Sequence, residues 1–347
     1  MTNPSLLLAS DNASGIHPAV LHGLQQANTA HVPGYGSDDY TRRAEQAFQA
    51  HFGDDASIFM VTTGTACNVL ALRAVTQSID AVFCSDIAHL FVDECSAPEH
   101  AIGCKLIGLP STEGKVTAAA LEQALAFQLD PYHRNRSKVL SLSQGTEYGT
   151  LYGLEELRAL TRLAHEQGLK VHMDGARLAN AAAALDVPLR ALTRDAGVDV
   201  LSFGGTKNGL MMAEAVIVFD TELAARMPAL RKQGMQLVSK HRFLAAQYLA
   251  YFKDDLWLRN ARHANRMAAH LATRLAAIPG VELIAPTQIN MVFARVPPHW
   301  VEPLQRLSAC NLWLPGTAEL RFVTSFDTTE ASIDAFAEAV GALARQA

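Results

Sequence analysis

Seven short β-rich runs, spaced by stretches long enough for helices, constrain this chain more than any other feature, because parallel strands can be joined only by long crossovers. They read SIFMVT (57–62), DAVFCS (80–85), CKLIGL (104–109), KVLSLSQ (138–144), LKVHMD (169–174), DVLSFG (199–204) and EAVIVF (214–219). Between two of them Leu154, Leu157, Leu160, Leu163 and Ala164 recur at helical spacing, with Gly168 as a stop. That pattern predicts a crossover helix. Another helix is expected from about Gly64. The predicted fold is α/β, with one large, mainly parallel, seven-stranded sheet covered by helices on both faces.

After about residue 245 the pattern changes. A long helix, DDLWLRNARHANRMAAHLATRLAAI (254–278), ends at Pro279-Gly280, and the strands VELI, NMVFARV and ELRFVT follow, with a last helix from near Thr329. This predicts a smaller C-terminal α+β domain. The expected division is an N-terminal segment 1–15, a large domain 16–245 and a small domain 246–347. A chain of 347 residues buries roughly three quarters of its unfolded surface, enough for two such cores.

The charge balance, 34 acidic against 29 basic residues for a net −5, has no Lys/Arg block. Nucleic acid and anionic membrane are therefore poor partners, and a small molecule is expected. Five cysteines, Cys67, Cys84, Cys95, Cys104 and Cys310, show no CxxC spacing and are odd in number. Neither disulfides nor a metal site is expected. The first residues lack a basic, apolar leader and no run approaches bilayer length, which predicts a cytoplasmic location.

The chemistry concentrates at two strand ends. Asp174 closes LKVHMD, and Lys207 follows two glycines at the end of DVLSFG; ligands of open α/β sheets bind at such ends. A lysine able to form a Schiff base, with a carboxylate able to hold a protonated pyridine nitrogen, is what pyridoxal phosphate requires. Alone, Asp174 reads equally well as a turn or capping residue. In TTGTACN, Gly64 and Thr65 open a helix after a strand, where free N–H groups favour an anion. The chain has neither GxxxxGK[ST] nor GxGxxG after a strand, which disfavours nucleotide and dinucleotide sites.

These stretches resemble the fold-type I pyridoxal-phosphate enzymes and, within them, the low-specificity L-threonine aldolases of the β-eliminating lyase superfamily. HMDGARLANA and SFGGTKNG carry the resemblance, supported by ASDNASG, VPGYGSDD, TTGTACN and DIAHLFVDECSAPE. It implies that Lys207 is the Schiff-base lysine, Asp174 the pyridine partner, and Gly64 with Thr65 the phosphate binders. His89 of AHLFVDE would stack on the cofactor and act as a base. Arg177, near the cofactor's ring oxygen, and Arg321 would approach the substrate carboxylate, with Ser10 adding a hydrogen bond. Relatives build their sites at subunit boundaries, which makes Tyr35, and Lys240 with Arg242 of SKHR, candidates for donation across a homodimer or homotetramer.

One departure stands out. Where many relatives have Asn-Thr-His, this chain has QGTEYG with Glu147 in the histidine's place; His133, in the preceding loop, is a weaker candidate for a second imidazole. The expected activity is reversible cleavage of L-threonine, L-allo-threonine or another L-β-hydroxy-α-amino acid to glycine and an aldehyde. Another pyridoxal-phosphate lyase or aminotransferase, a cofactor-free lysine aldolase and a non-catalytic binding protein remain the alternatives.

Overall fold

The computed structural model describes residues 7–128, 130 and 132–345. Residues 1–6 of the expected N-terminal segment lie outside the described residues. The seven expected strands form at β1 (Ser57–Val61), β2 (Asp80–Ser85), β3 (Lys105–Leu109), β4 (Arg136–Ser143), β5 (Lys170–Gly175), β6 (Val200–Gly204) and β7 (Glu214–Val218). They make one sheet in the order β1-β7-β6-β5-β4-β2-β3. Strands β2 to β6 pair in parallel, whereas β7 runs antiparallel to both its neighbours, β1 and β6.

Every residue of β2, β6 and β7 is buried. That explains their near-continuous apolar sequences, because helices cover both faces of the sheet. Alternation sorts each strand between two cores: Leu201 and Phe203 face one, while Val200 faces the other. The crossover helix Leu154–Glu166 packs Leu157, Leu160 and Ala164 onto the first core. Gly168 beyond it has φ +73°, the left-handed conformation that ends a helix. Helix Gly64–Val75 lies on the second core through Leu70, Ala71 and Ala74, with Thr63 capping it by accepting the Ala66 N–H.

The helix Arg242–Phe252 runs across residue 245 and packs Leu244, Tyr248 and Tyr251 into the main core. The expected division there falls inside a helix. The long helix follows at Leu256–Ala276, and the last at Glu330–Ala344, capped by Thr329. Between them β8 (Glu282–Leu283), β9 (Met291–Arg295), β10 (Asn311–Leu312) and β11 (Glu319–Val323) form an antiparallel sheet in the order β8-β9-β11-β10. The sequence reading missed β10 and the helix Val301–Ser308. Leu8 is buried in a third core, that of the smaller sheet, and its backbone bonds to Ser308 and Val323, which ties the chain just before Ser10 to the small domain.

Candidate active site

The carboxyl ends of the parallel strands bring their following turns to one side of the sheet, and a cavity of ≈ 190 Å³ opens there. β5 delivers Asp174, β6 leads to Lys207, β4 to Glu147, β2 to His89 and β1 to Gly64; all five line the cavity. Arg177, Arg321 and Ser10 also line it. Seven expected residues, Lys207, Asp174, Gly64, His89, Arg177, Arg321 and Ser10, therefore share one space.

The glycines before Lys207 serve the protein's own packing. A Cβ on Gly204 would lie 2.7 Å from the Ala176 backbone, and one on Gly205 would lie 2.7 Å from the Ala213 carbonyl oxygen. The close approach expected there is that of neighbouring turns. Gly64 differs, because a Cβ at this position would meet nothing within 4 Å. Thr65, next in the same turn, is half-buried and outside the cavity lining.

Charges converge on Lys207. Burial lowers its pKa, reinforced by Arg177, while Asp11, Asp174 and Glu214 oppose the shift. Asp174 is 8% exposed; burial pushes its pKa up, but Lys207, His89 and the Asn68 and Ala176 N–H donors more than offset it. The result is a carboxylate held below the usual range. Asn68 donates to Asp174 Oδ2 at 2.9 Å and to Glu94 Oε1 at 2.8 Å. Glu94 in turn pairs with His89 Nδ1 at 2.9 Å. His89 is thereby tied to Asp174 through two intervening side chains.

Glu147 Oε1 accepts the His89 peptide N–H at 2.9 Å and the Ser143 hydroxyl at 2.7 Å. At this position the chain thus holds the backbone of His89 with a carboxyl instead of supplying a second imidazole. Arg177 donates two hydrogen bonds to Asp11, at 2.8 and 3.0 Å. Arg321 projects from β11 with its guanidinium 5.5 Å from the Trp313 ring, and its buried Nε has no partner among the described residues. Such a guanidinium has donors left for a carboxylate ligand.

The remaining expected residues lie elsewhere. His133 is on an exposed loop, outside the cavity lining. Tyr35 is 56% exposed, and its N–H bonds to Ser239 at 3.0 Å. Lys240 and Arg242 line a separate surface cleft beside the Tyr35 loop. Sequence reasoning missed Asp11, Asn68, Glu94, Trp313 and Glu214. Asp11, Asn68 and Glu94 sat within stretches already singled out, ASDNASG, TTGTACN and AHLFVDE, and Glu214 opens the strand run EAVIVF.

Residues 8–297 match the beta-eliminating lyase family model. The low-specificity L-threonine aldolase of a Pseudomonas strain is 41% identical over 96% of this chain and 96% of its own length. That of Pseudomonas aeruginosa is 42% identical over 94% and 95%. A solved threonine aldolase from Leishmania major, 29% identical, superposes with a TM-score of 0.91 over 98% of this chain and 99% of that one. The strand order, the cavity at the strand ends and these likenesses agree: the chain belongs to the beta-eliminating lyase family, in the branch of the low-specificity L-threonine aldolases.

Proposed function

We propose that this chain is a pyridoxal-phosphate-dependent aldolase that reversibly cleaves L-threonine, L-allo-threonine or a related L-β-hydroxy-α-amino acid to glycine and an aldehyde. The observation that carries this reading is the single cavity shared by the Lys207 amine, the Asp174 carboxylate and the open turn at Gly64. Pyridoxal phosphate fits that set. Among the described residues no backbone carbonyl takes the N–H groups of Gly64 and Thr65, the kind of orphan donors that bind phosphate at a helix start.

Lys207 would hold the cofactor covalently, Asp174 would face its pyridine nitrogen, and the Gly64 turn would take its phosphate. When bound, the cofactor supplies a sink for the electron pair released as Cα–Cβ breaks. Arg177 and Arg321, with Ser10, bind the substrate carboxylate through charge-assisted hydrogen bonds. Asp11 holds Arg177 in place for this. Glu94 accepts a proton-bearing Nδ1 of His89, which leaves Nε2 with a lone pair to take the β-hydroxyl proton. His133 has no part in this reading of a single chain.

The same reading makes the active unit a homodimer or homotetramer in the cytoplasm, with Tyr35 reaching a neighbouring subunit's substrate and Lys240 and Arg242 its cofactor. Its support is the common exposed surface of the Tyr35 loop and the Lys240 segment. No helix among the described residues is long and apolar enough to cross a membrane.

Colour and product analysis test the activity. The purified protein should be yellow and bleach with borohydride, and threonine should yield glycine and acetaldehyde. Formation of 2-oxobutanoate would instead identify a dehydratase. A colourless protein that gains no absorption with added cofactor would leave a cofactor-free aldolase or a binding protein.

A further inference from the structure

Glu214 opens β7, where its backbone is paired with Val61 on one side and Gly204 on the other. Val61 stands shortly before Gly64 and Gly204 shortly before Lys207, so Glu214 sits between the turn that opens the helix and the turn that carries the lysine. Its side chain lines the cavity with both residues. Oε1 accepts the Thr206 N–H at 3.3 Å. A carboxyl group thus already occupies a backbone donor of the turn that carries Lys207.

Within the single chain, little among the described residues balances a second negative charge beside it. Among the described residues of the single chain, the titratable groups facing Glu214 are Lys207 in the preceding turn, Cys67 from helix Gly64–Val75, and Tyr248 and Tyr251 from helix Arg242–Phe252. Burial pushes the thiol and both phenols up, which keeps them neutral. Lys207 is the one cation among them, and Asp174 and Asp11 also draw on it. A phosphate and an ionised Glu214 would be like charges in a poorly solvated space, where one of them is driven to neutrality.

We propose that Glu214 is a proton-linked regulator of phosphate occupancy in this cavity. Neutral, it donates a hydrogen bond toward a phosphate oxygen; ionised, it repels the phosphate and keeps the Thr206 N–H for itself. The inference rests on the reading of the Gly64 turn as the phosphate site. Burial pushes Glu214 up to about 7, which sets the switch near neutrality. A bound phosphate raises it further, so binding above that pH takes up a proton and affinity falls as pH rises.

The probe is pyridoxamine 5′-phosphate, which has no aldehyde to bond Lys207, with pyridoxamine as the phosphate-free control. Dissociation constants are measured by calorimetry from pH 6 to pH 9. Above neutrality the phosphorylated probe should weaken toward about tenfold per pH unit for a one-proton linkage, and pyridoxamine should not follow it. Glu214→Gln, a permanently neutral donor, should flatten that slope. In wild type at pH 8, calorimetry in buffers of unlike ionisation heat should show close to one more proton taken up with the phosphorylated probe than with the control. This second measurement needs no variant and stands if Glu214→Gln does not fold. An unchanged slope in Glu214→Gln, or no additional proton in wild type, overturns the role of Glu214 alone. Equal affinity for the two probes at pH 6 overturns the phosphate site itself, and the inference with it.

Discussion

His89 Nδ1 and Glu94 Oε1 are 2.9 Å apart, with the carboxylate side chain fully buried and the imidazole 43% exposed. The hydrogen bond to Glu94 is the main reason the His89 pKa is raised; Asp174 adds to it, while burial and Lys207 oppose it. A base must be neutral to accept a proton, so the acid limb of the pH–rate profile should follow this raised value. Glu94→Gln should move that limb to lower pH. Activity at the optimum should fall by less than the roughly 10²- to 10⁴-fold that complete loss of a general base costs. An acid limb that stays in place would remove Glu94 from the titration of His89.

Lys207→Ala should abolish turnover, by up to about 10⁶-fold, the order seen when a nucleophile is deleted. The fold should persist, because the change removes a buried amine whose neighbouring carboxylates form no close ion pair with it among the described residues. Thermal unfolding should leave the midpoint unchanged or raised, and borohydride should trap no adduct. Near-normal turnover without added amine would exclude Lys207 from the chemistry.

Asp174→Asn preserves shape and removes the charge. Turnover should fall far more than cofactor occupancy, since the proposed phosphate and Lys207 contacts would survive while the pyridine nitrogen would lose its carboxylate. Occupancy is read by absorbance after dialysis and turnover by glycine release. Equal activity in the variant would return Asp174 to the role of a turn residue.

Asp11→Ala should cost about 3–5 kcal/mol, because it strips the partner from a largely buried guanidinium. Urea denaturation measures the loss. Burial pushes the Asp11 carboxyl up, but Arg177, Lys207 and the Asn290 donor together hold it below 3.8. Its ionised form therefore contributes fully above pH 3.8, and the contribution disappears as pH falls through the lower native value. In the variant the stability gap to wild type should narrow on acidification through that range.

Mixed oligomers test the donated residues. A Lys207→Ala chain coexpressed with a severely impaired Tyr35→Phe or Lys240→Ala/Arg242→Ala chain should regain activity, because one interface of the hybrid collects both intact contributions. Failure to rescue in demonstrated hybrids, or full activity in a monomer, would return Tyr35 and the basic pair to ordinary surface roles.

The elements themselves were legible because local composition controls them. A β-branched, apolar run flanked by polar breaks has few conformations that satisfy its backbone, so β1 to β7 formed within a few residues of their expected bounds. The stretches that meet at the cavity were legible too, since Asp174, Lys207 and Gly64 each end or follow such a run. The antiparallel direction of β7 was not. A strand buried on both faces carries no alternation that marks its neighbours or direction.

What tertiary structure alone decided is who pairs with whom. Arg177 reads in sequence as an arginine free to bind substrate; in the fold it is held by Asp11, 166 residues away. Asn290 reaches the same carboxylate across 279 residues. Glu214 reads as the polar start of a strand until β1 and β6 set it between the Gly64 and Lys207 turns. Local sequence restricts each residue's backbone conformations, whereas the field and hydrogen-bond partners around a buried charge come from segments that only packing brings together.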